Sequence, residues 1–100
     1  MTTYRLTPRA LRDLDAIADY TLKAWGERQA TKYLAELDQR FRWLAQNPKS
    51  GRERTEITEG YRSYTHGSHI VFYVIQADDI AIIGVPHGAM DIDAYFDQPG

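Results

Sequence analysis

The sequence predicts an α+β fold of two layers, in which an antiparallel helical hairpin packs on one face of a small antiparallel sheet. Two observations support this prediction. Apolar residues recur at helical spacing through the first half of the chain, and from residue 61 onward the pattern changes to short runs of aromatic and β-branched residues. Because the helical segments precede a series of consecutive strands, the helices and the strands are expected to form separate layers. A short N-terminal strand and a short C-terminal helix complete the predicted fold.

Length and composition predict one domain that covers residues 1–100. Hydrophobic residues make up 43% of the chain and charged residues 26%, as in ordinary globular domains. The absence of cysteine excludes disulfides, zinc-thiolate sites and thiol nucleophiles. No apolar run approaches the roughly 18 residues that a membrane span requires, and the start MTTYRLTPRA lacks the apolar centre of a signal peptide. A cytoplasmic protein without membrane contact is therefore expected.

Charge is distributed unevenly between the two halves of the chain. Residues 1–50 contain nine Lys or Arg and six Asp or Glu, whereas residues 51–100 contain three and eight. The half that holds the predicted sheet is therefore acidic. An RNA-binding sheet is expected to be basic, so this distribution argues against a nucleic-acid ligand and predicts no direct sequence-specific nucleic-acid binding.

Two long helices follow the opening strand, which is predicted at residues 4–6. Thr7 and Pro8 give the first helix an N-cap hydroxyl and a proline at its first position, and Gly26 ends it. Its apolar positions are Leu11, Leu14, Ile17, Ala18, Leu22 and Trp25. The second helix is predicted at residues 27–46 and ends before Pro48. The short connection makes an antiparallel hairpin, and both tryptophans, Trp25 and Trp43, are expected in its core or seam.

Three strands are predicted at residues 61–66, 69–76 and 80–85, and the short gaps between them predict an antiparallel meander. Pro86 lacks an N–H group for the ladder, so the last strand is expected to end early. A short helix is predicted at residues 91–96, with Asp91 as its cap.

The Gly67-Ser68 turn predicts the register of the first hairpin and the two faces of the sheet. A two-residue type II′ turn would place His66 opposite His69 and would continue by pairs to residues 61 and 74. The face expected against the helices carries Tyr61, Ser63, Thr65, Ile70, Phe72 and Val74. The face expected to be open, where function is sought, carries Arg62, Tyr64, His66, His69, Val71 and Tyr73.

These side chains could support two kinds of chemistry. His66, His69, His87 and Asp91 could supply metal ligands, but their spacing matches no metal motif, and neither a metal nor a cofactor is predicted. Arg62, Tyr73 and His87 could serve a nuclease, with Tyr or His moving protons and Arg stabilising charge. The acidic sheet favours the alternative in which Arg62 pairs with a carboxylate and the tyrosines are ordinary surface residues.

Four stretches of the chain together resemble the ParE branch of the RelE/ParE toxin superfamily: YRLTPRALRDLDAIADYT, WGERQATKYLAELDQRFRWLAQNPKSGR, EGYRSYTHGSHIVFYVI and VPHGAMD. The resemblance implies a bacterial toxin of a type II toxin-antitoxin system, held in a hetero-oligomer by a ParD-like antitoxin. ParE-type toxins are described as inhibitors of DNA gyrase, whereas RelE-type relatives cleave mRNA on the ribosome. This chain departs from the family pattern, which usually ends the last strand with Arg-Val/Ile-Leu-His, because it has Gly84-Val85-Pro86-His87.

The sequence therefore predicts a toxin that inhibits DNA gyrase by binding and has no chemistry of its own. The residues expected to contact the target or the antitoxin are Arg62, Tyr64, Tyr73, His87, Met90 and Asp91. Two alternatives remain open at this stage. One is a ribosome-dependent endoribonuclease that uses Arg62, Tyr73 and His87, and the other is an inactive relative that still binds antitoxin.

Overall fold

The computed structural model describes residues 3–97 and shows a helical hairpin packed on a five-stranded sheet, which confirms the predicted fold class. The helices are α1 (Pro8–Trp25), α2 (Glu27–Gln46) and α3 (Ile92–Asp97), and a 3-10 turn covers Pro48–Ser50. The strands are β1 (Thr3–Leu6), β2 (Arg52–Glu53), β3 (Tyr61–His66), β4 (His69–Ile75) and β5 (Asp79–Gly84). None of the helices within residues 3–97 is both long enough and apolar enough to cross a membrane.

The sheet has the strand order β1-β5-β4-β3-β2 and is mixed. Strands β2 to β5 pair antiparallel, as the meander prediction requires, while β1 runs parallel to β5 at the edge. The two-residue strand β2 was not predicted. The sequence gives no sign of it, because two residues are too few to show a period of two.

Both helix boundaries at the hairpin were predicted correctly. The Thr7 side chain accepts a hydrogen bond of 3.2 Å from the Ala10 N–H, which satisfies one of the unpaired donors at the start of α1. Pro8 occupies the first turn. Gly26 separates the two helices with a φ of +92°, a conformation that favours glycine. The chain can therefore reverse direction within one residue.

Removing the Thr7 hydroxyl should destabilise the protein moderately. Thr7→Ala loses the cap and also the hydrogen bond of 3.1 Å that this hydroxyl donates to the Ile82 carbonyl. We expect the free energy of unfolding to fall by about 1 to 2 kcal/mol, measured by urea denaturation. Thr31→Ala, in the exposed middle of α2, is the matched control and should change the free energy of unfolding by less than about 0.5 kcal/mol. Equal losses in the two variants would contradict this role of Thr7.

The register of the first hairpin is confirmed at every predicted pair, from His66 opposite His69 to Tyr61 opposite Val74. Gly67 has a φ of +57° at the first central position of the turn, as a type II′ turn requires. The last strand ends at Gly84, before Pro86, as expected. The turn chemistry therefore fixed the alignment of β3 and β4.

The assignment of the two sheet faces was wrong. Val71 and Tyr73 are fully buried against the helices, and Tyr64 packs on the same cluster. Phe72 is also fully buried, but its ring meets Phe96 of α3 on the opposite face, with 4.9 Å between ring centroids. The prediction assumed that only one face is covered. Because α3 covers part of the second face, both faces carry large apolar side chains, and apolar content could not distinguish them.

The core between the helices and the sheet is built from aliphatic and aromatic side chains of both layers. Its members are Ala10, Ile17, Leu37, Phe41, Leu44, Ala45, Val71, Tyr73, Ile80, Ile82 and Val85. The two tryptophans do not belong to it, which corrects their predicted place. Trp25 is 70% exposed at the end of α1, and Trp43 is 37% exposed.

Candidate functional site

Arg62 and Tyr73, two of the predicted site residues, are engaged with the backbone of the segment that follows α2. The Tyr73 hydroxyl donates to the Pro48 carbonyl at 2.7 Å and accepts from the Gly51 N–H at 2.9 Å. Arg62 donates to the Gly51 carbonyl at 2.7 Å. Burial raises the pKa of Tyr73, so its hydroxyl stays protonated. These two side chains hold the turn at residues 48–51 against the sheet, and neither lies on an open face.

Tyr64 is partly buried beside α2, where it forms an aromatic and cationic cluster. Its ring centroid lies 5.3 Å from that of Trp43, and the Arg40 guanidinium sits 4.8 Å from the Tyr64 centroid and 5.0 Å from the Trp43 centroid. Such stacking holds a guanidinium in a defined plane.

The three histidines meet at the turn between β3 and β4 and at the segment after β5. His69 bonds through Nδ1 to the Tyr33 hydroxyl at 2.7 Å, and its ring lies 5.4 Å from that of His87 between centroids. Burial lowers the pKa of His69, and the neighbouring imidazoles of His87 and His66 lower it further. Burial and the nearby Arg40 cation also lower the pKa of His66. The described residues 3–97 contain no group of three or more potential ligand side chains that could hold a metal.

The lowered histidine pKa values predict a stability that falls in mild acid. The unfolded chain takes up protons on these imidazoles near pH 6.5, whereas folded His66 and His69 take them up only at lower pH. The unfolded state therefore binds more protons below that pH, so the free energy of unfolding should be lower at pH 5.5 than at pH 7.5. Asp13 and Glu36 partly oppose the effect. Urea denaturation at the two pH values measures it.

A His69→Gln variant supplies the control for this pH dependence. It removes one of the two imidazoles with a lowered pKa, so its stability should change less between pH 7.5 and 5.5 than that of the wild type. A wild-type protein that is equally stable, or more stable, at pH 5.5 would contradict the interpretation.

An open groove lies between the helical hairpin and the segment that follows β5. We call it groove 1; its volume is about 680 Å³. It is lined by Asp13, Ala16, Ile17, Tyr20, Thr21, Trp25, Gln29, Tyr33, Ser68, His69, Val85, Pro86, His87 and Met90. Tyr20 is 68% exposed and Trp25 70% exposed, so two large aromatic side chains stand at its rim without cover from residues 3–97. Aromatic side chains exposed together beside a groove mark a candidate protein-binding site.

Two of the six predicted contact residues, His87 and Met90, line groove 1. Asp91 lies outside it and caps α3, since its carboxylate accepts from the Ala94 N–H at 3.2 Å. The sequence reasoning missed Tyr20 and Trp25. Tyr20 falls outside the apolar stripe of α1, and an unexplained aromatic residue on a polar helix face was the signal that could have revealed it.

The three residues proposed for a nuclease do not form one site. Arg62 pairs across the sheet with Tyr73, whereas His87 bridges to His69, which lies four residues before Tyr73 at the start of β4. At about 3.3 Å per residue, this places His87 roughly 13 Å away from the other two along the strand. His87 Nδ1 also accepts from the Ala89 N–H at 3.0 Å. General acid-base chemistry requires groups within hydrogen-bond reach of the same reacting atoms, and this arrangement does not provide it.

Comparison with known proteins gives the family. Residues 4–92 match the model of the ParE toxin of the type II toxin-antitoxin system, parDE. The chain belongs to the ParE toxin family. Toxin ParE1 of Mycobacterium tuberculosis is 41% identical over 91 residues, which cover 90% of this chain and 93% of the relative.

Solved structures agree with this ParE fold. The chain is similar to a structure of the chromosomal ParDE toxin-antitoxin system from P. aeruginosa, with a TM-score of 0.74, 24% identity, and coverage of 87% of this chain and 96% of the other. It is also similar to the toxin-antitoxin complex RelBE2 from Mycobacterium tuberculosis, with a TM-score of 0.61, 25% identity, and coverage of 86% and 96%. The family match and the curated relative together show that this chain is a type II toxin-antitoxin toxin of the ParE family.

The glycine that departs from the ParE pattern has a structural reason in this chain. A Cβ atom at Gly84 would collide with the hydroxyl of Tyr95, which lies on α3. That hydroxyl donates to the Asp13 carboxylate, and the same carboxylate accepts from the Val85 N–H at 2.8 Å. Burial and the Asp13 carboxylate both raise the pKa of Tyr95. Gly84 thus leaves room for the side chain that ties α3 to α1, and an arginine would displace it.

Proposed function

We propose that this ParE-family toxin acts by binding, and that a ParD-like antitoxin neutralises it by occupying groove 1. The observation that supports the proposal best is the open groove, with Tyr20 and Trp25 exposed at its rim. The proposed target of the free toxin is DNA gyrase, in the bacterial cytoplasm, which follows from the resemblance to ParE toxins. Within residues 3–97, the predicted nuclease residues Arg62, Tyr73 and His87 do not come together, which favours action by binding.

Groove 1 suits an amphipathic helix from a flexible antitoxin tail. Such a helix would place apolar residues one turn apart against Tyr20, Trp25 and Met90, which all line the groove. Ordering a flexible tail costs free energy, so tight binding needs large aromatic anchors of this kind. Residues 51–100 carry eight acids against three bases, and this charge favours a tail with several Lys or Arg.

One pair of assays tests the proposal. Supercoiling by purified DNA gyrase should be inhibited by this protein and restored when a ParD-like antitoxin is added in equimolar amount. Translating ribosomes should leave their mRNA intact under the same conditions. Unchanged supercoiling in the presence of this protein, together with cleaved mRNA, would contradict the proposal and support a ribosome-dependent endoribonuclease.

The similarity to RelBE2 is the specific observation that keeps the endoribonuclease as the second candidate. The third candidate, an inactive relative that binds antitoxin, predicts a tight complex with antitoxin and no effect in either assay. The three candidates therefore give three different results in one experiment.

A further inference from the structure

Arg40 lies outside groove 1, and its guanidinium is held in place without a carboxylate partner. It stacks over the rings of Trp43 and Tyr64, and its Nε donates to His66 Nδ1 at 3.4 Å. Glu36, one turn earlier on α2, is at the spacing that usually gives a helix ion pair. However, Arg40 forms no ion pair within residues 3–97. The described part of the chain also supplies no hydrogen-bond acceptor to its two Nη groups.

This guanidinium lines a second groove, which we call groove 2 and which has a volume of about 590 Å³. Groove 2 is lined by Tyr33, Glu36, Gln39, Arg40, Trp43, His66 and Gly67. Tyr33 lines both grooves, with its hydroxyl at the turn between β3 and β4. A partner segment that leaves groove 1 past Tyr33 therefore enters groove 2.

We propose that groove 2 binds a carboxylate of the partner's tail, in a pair with Arg40. The inference rests on the proposed function, because the tail is that of the antitoxin in groove 1. A guanidinium offers a carboxylate two parallel N–H donors, and such bidentate pairs are among the strong hydrogen bonds of proteins. Since the rings of Trp43 and Tyr64 already hold Arg40, little side-chain entropy is lost when the pair forms.

The local charge selects a single acidic residue and not a polyanion. Glu36 lines the same groove and would repel a row of phosphates, and the chain as a whole carries a net charge of -2. One carboxylate can approach the Nη groups of Arg40 while the rest of the tail stays away from Glu36. The tail should therefore combine basic residues elsewhere with one acid at this position, which refines the expectation of a basic tail.

A matched pair of short peptides tests this site without the antitoxin. The probes are acetyl-Leu-Glu-Leu-amide and acetyl-Leu-Gln-Leu-amide, titrated into ¹⁵N-labelled wild-type protein while the Arg40 Nε–H and Trp43 indole N–H signals are followed by NMR. The Glu peptide should shift these signals and bind about fivefold or more tightly than the Gln peptide. Equal affinities, or shifts confined to other residues, would overturn the proposal.

Three variants separate the Arg40 pair from general electrostatics. Arg40→Gln should abolish the preference for the Glu peptide, whereas Arg42→Gln should keep it, because Arg42 is exposed and already paired with Asp38. Glu36→Gln should increase the affinity for the Glu peptide, since it removes a like charge from the groove. A preference that survives in Arg40→Gln, or is lost equally in Arg42→Gln, would contradict the assignment.

The antitoxin and an RNA probe complete the experiment. Arg40→Gln should weaken binding of a ParD-like antitoxin about tenfold, and unchanged antitoxin affinity would overturn the proposal. Binding of a 20-nucleotide single-stranded RNA that depends on Arg40 would also overturn it, in favour of a nucleic-acid site. If the wild type does not bind the antitoxin at all, the proposed function fails, while the peptide titration still decides whether groove 2 accepts a carboxylate.

Discussion

Trp25→Ala should weaken the complex with a ParD-like antitoxin by about 2 to 3 kcal/mol, or roughly 30- to 150-fold in dissociation constant. Trp25 is 70% exposed at the rim of groove 1, where a partner helix would bury its ring. Large aromatic side chains dominate the energetics of such interfaces. Because the ring packs little within the free toxin, the free energy of unfolding should hardly change. Isothermal titration calorimetry measures the affinity.

Leu22→Ala is the matched control for this variant. Leu22 lies on the same helix and is 50% exposed, but it does not line groove 1. Its truncation should change the antitoxin affinity by less than about threefold, as expected for an apolar residue outside the interface. Similar losses in Trp25→Ala and Leu22→Ala would indicate that the antitoxin lies on the outer surface of the hairpin and not in groove 1.

Tyr73→Phe should lower the free energy of unfolding by about 2 to 3 kcal/mol. The hydroxyl that it removes both donates to the Pro48 carbonyl and accepts from the Gly51 N–H, so one deletion leaves two backbone groups without partners. No other group can take the place of this hydroxyl, because the Tyr73 ring packs so closely on Gly51 that even a Cβ atom there would collide with it. Urea denaturation at pH 7.5 measures the loss.

Tyr61→Phe is the control for Tyr73→Phe. Tyr61 lies opposite Val74 at the end of the same hairpin, and its ring contacts Phe96 on the sheet face that α3 covers. Loss of its hydroxyl should change the free energy of unfolding by less than about 0.5 kcal/mol. If Tyr73→Phe were fully stable but abolished cleavage of mRNA on ribosomes, Tyr73 would be a catalytic residue and its structural role would be wrong.

The elements and the hairpin register could be predicted because they depend on local features of the sequence. Thr7, Pro8 and Gly26 determine the helix ends through capping and backbone preference. Gly67 with its positive φ determines the turn, and the turn aligns the two strands. None of these effects requires knowledge of what packs on the sheet.

Which face of the sheet packs against the helices could not be predicted in the same way. Phe72 and Tyr73 are adjacent, both are large, and both are fully buried. The choice between them depends on Phe96, more than twenty residues further along the chain, and on the hydrogen bonds of Tyr73 to residues 48–51. These are tertiary effects, so a period of two alone could not decide between the faces.

The candidate site was predictable only in part for a related reason. His87 and Met90 follow the last strand, and loops at strand ends are common places for function. Arg62, Tyr64 and Tyr73 were selected because they were expected on an open face, and the correction of the faces removes that argument. Trp25 is an exposed residue at the end of a helical apolar stripe, so its pattern alone suggested the core.

Hydrogen-deuterium exchange of the toxin, alone and in complex with a ParD-like antitoxin, tests most directly whether the antitoxin binds in groove 1. The complex should protect amides in the second half of α1 and in residues 85–90, which line the groove from two sides. Amides around Tyr61 and Phe96, on the sheet face that α3 covers, should exchange equally in the free and bound protein. Protection of these amides, with α1 and residues 85–90 unchanged, would contradict the account.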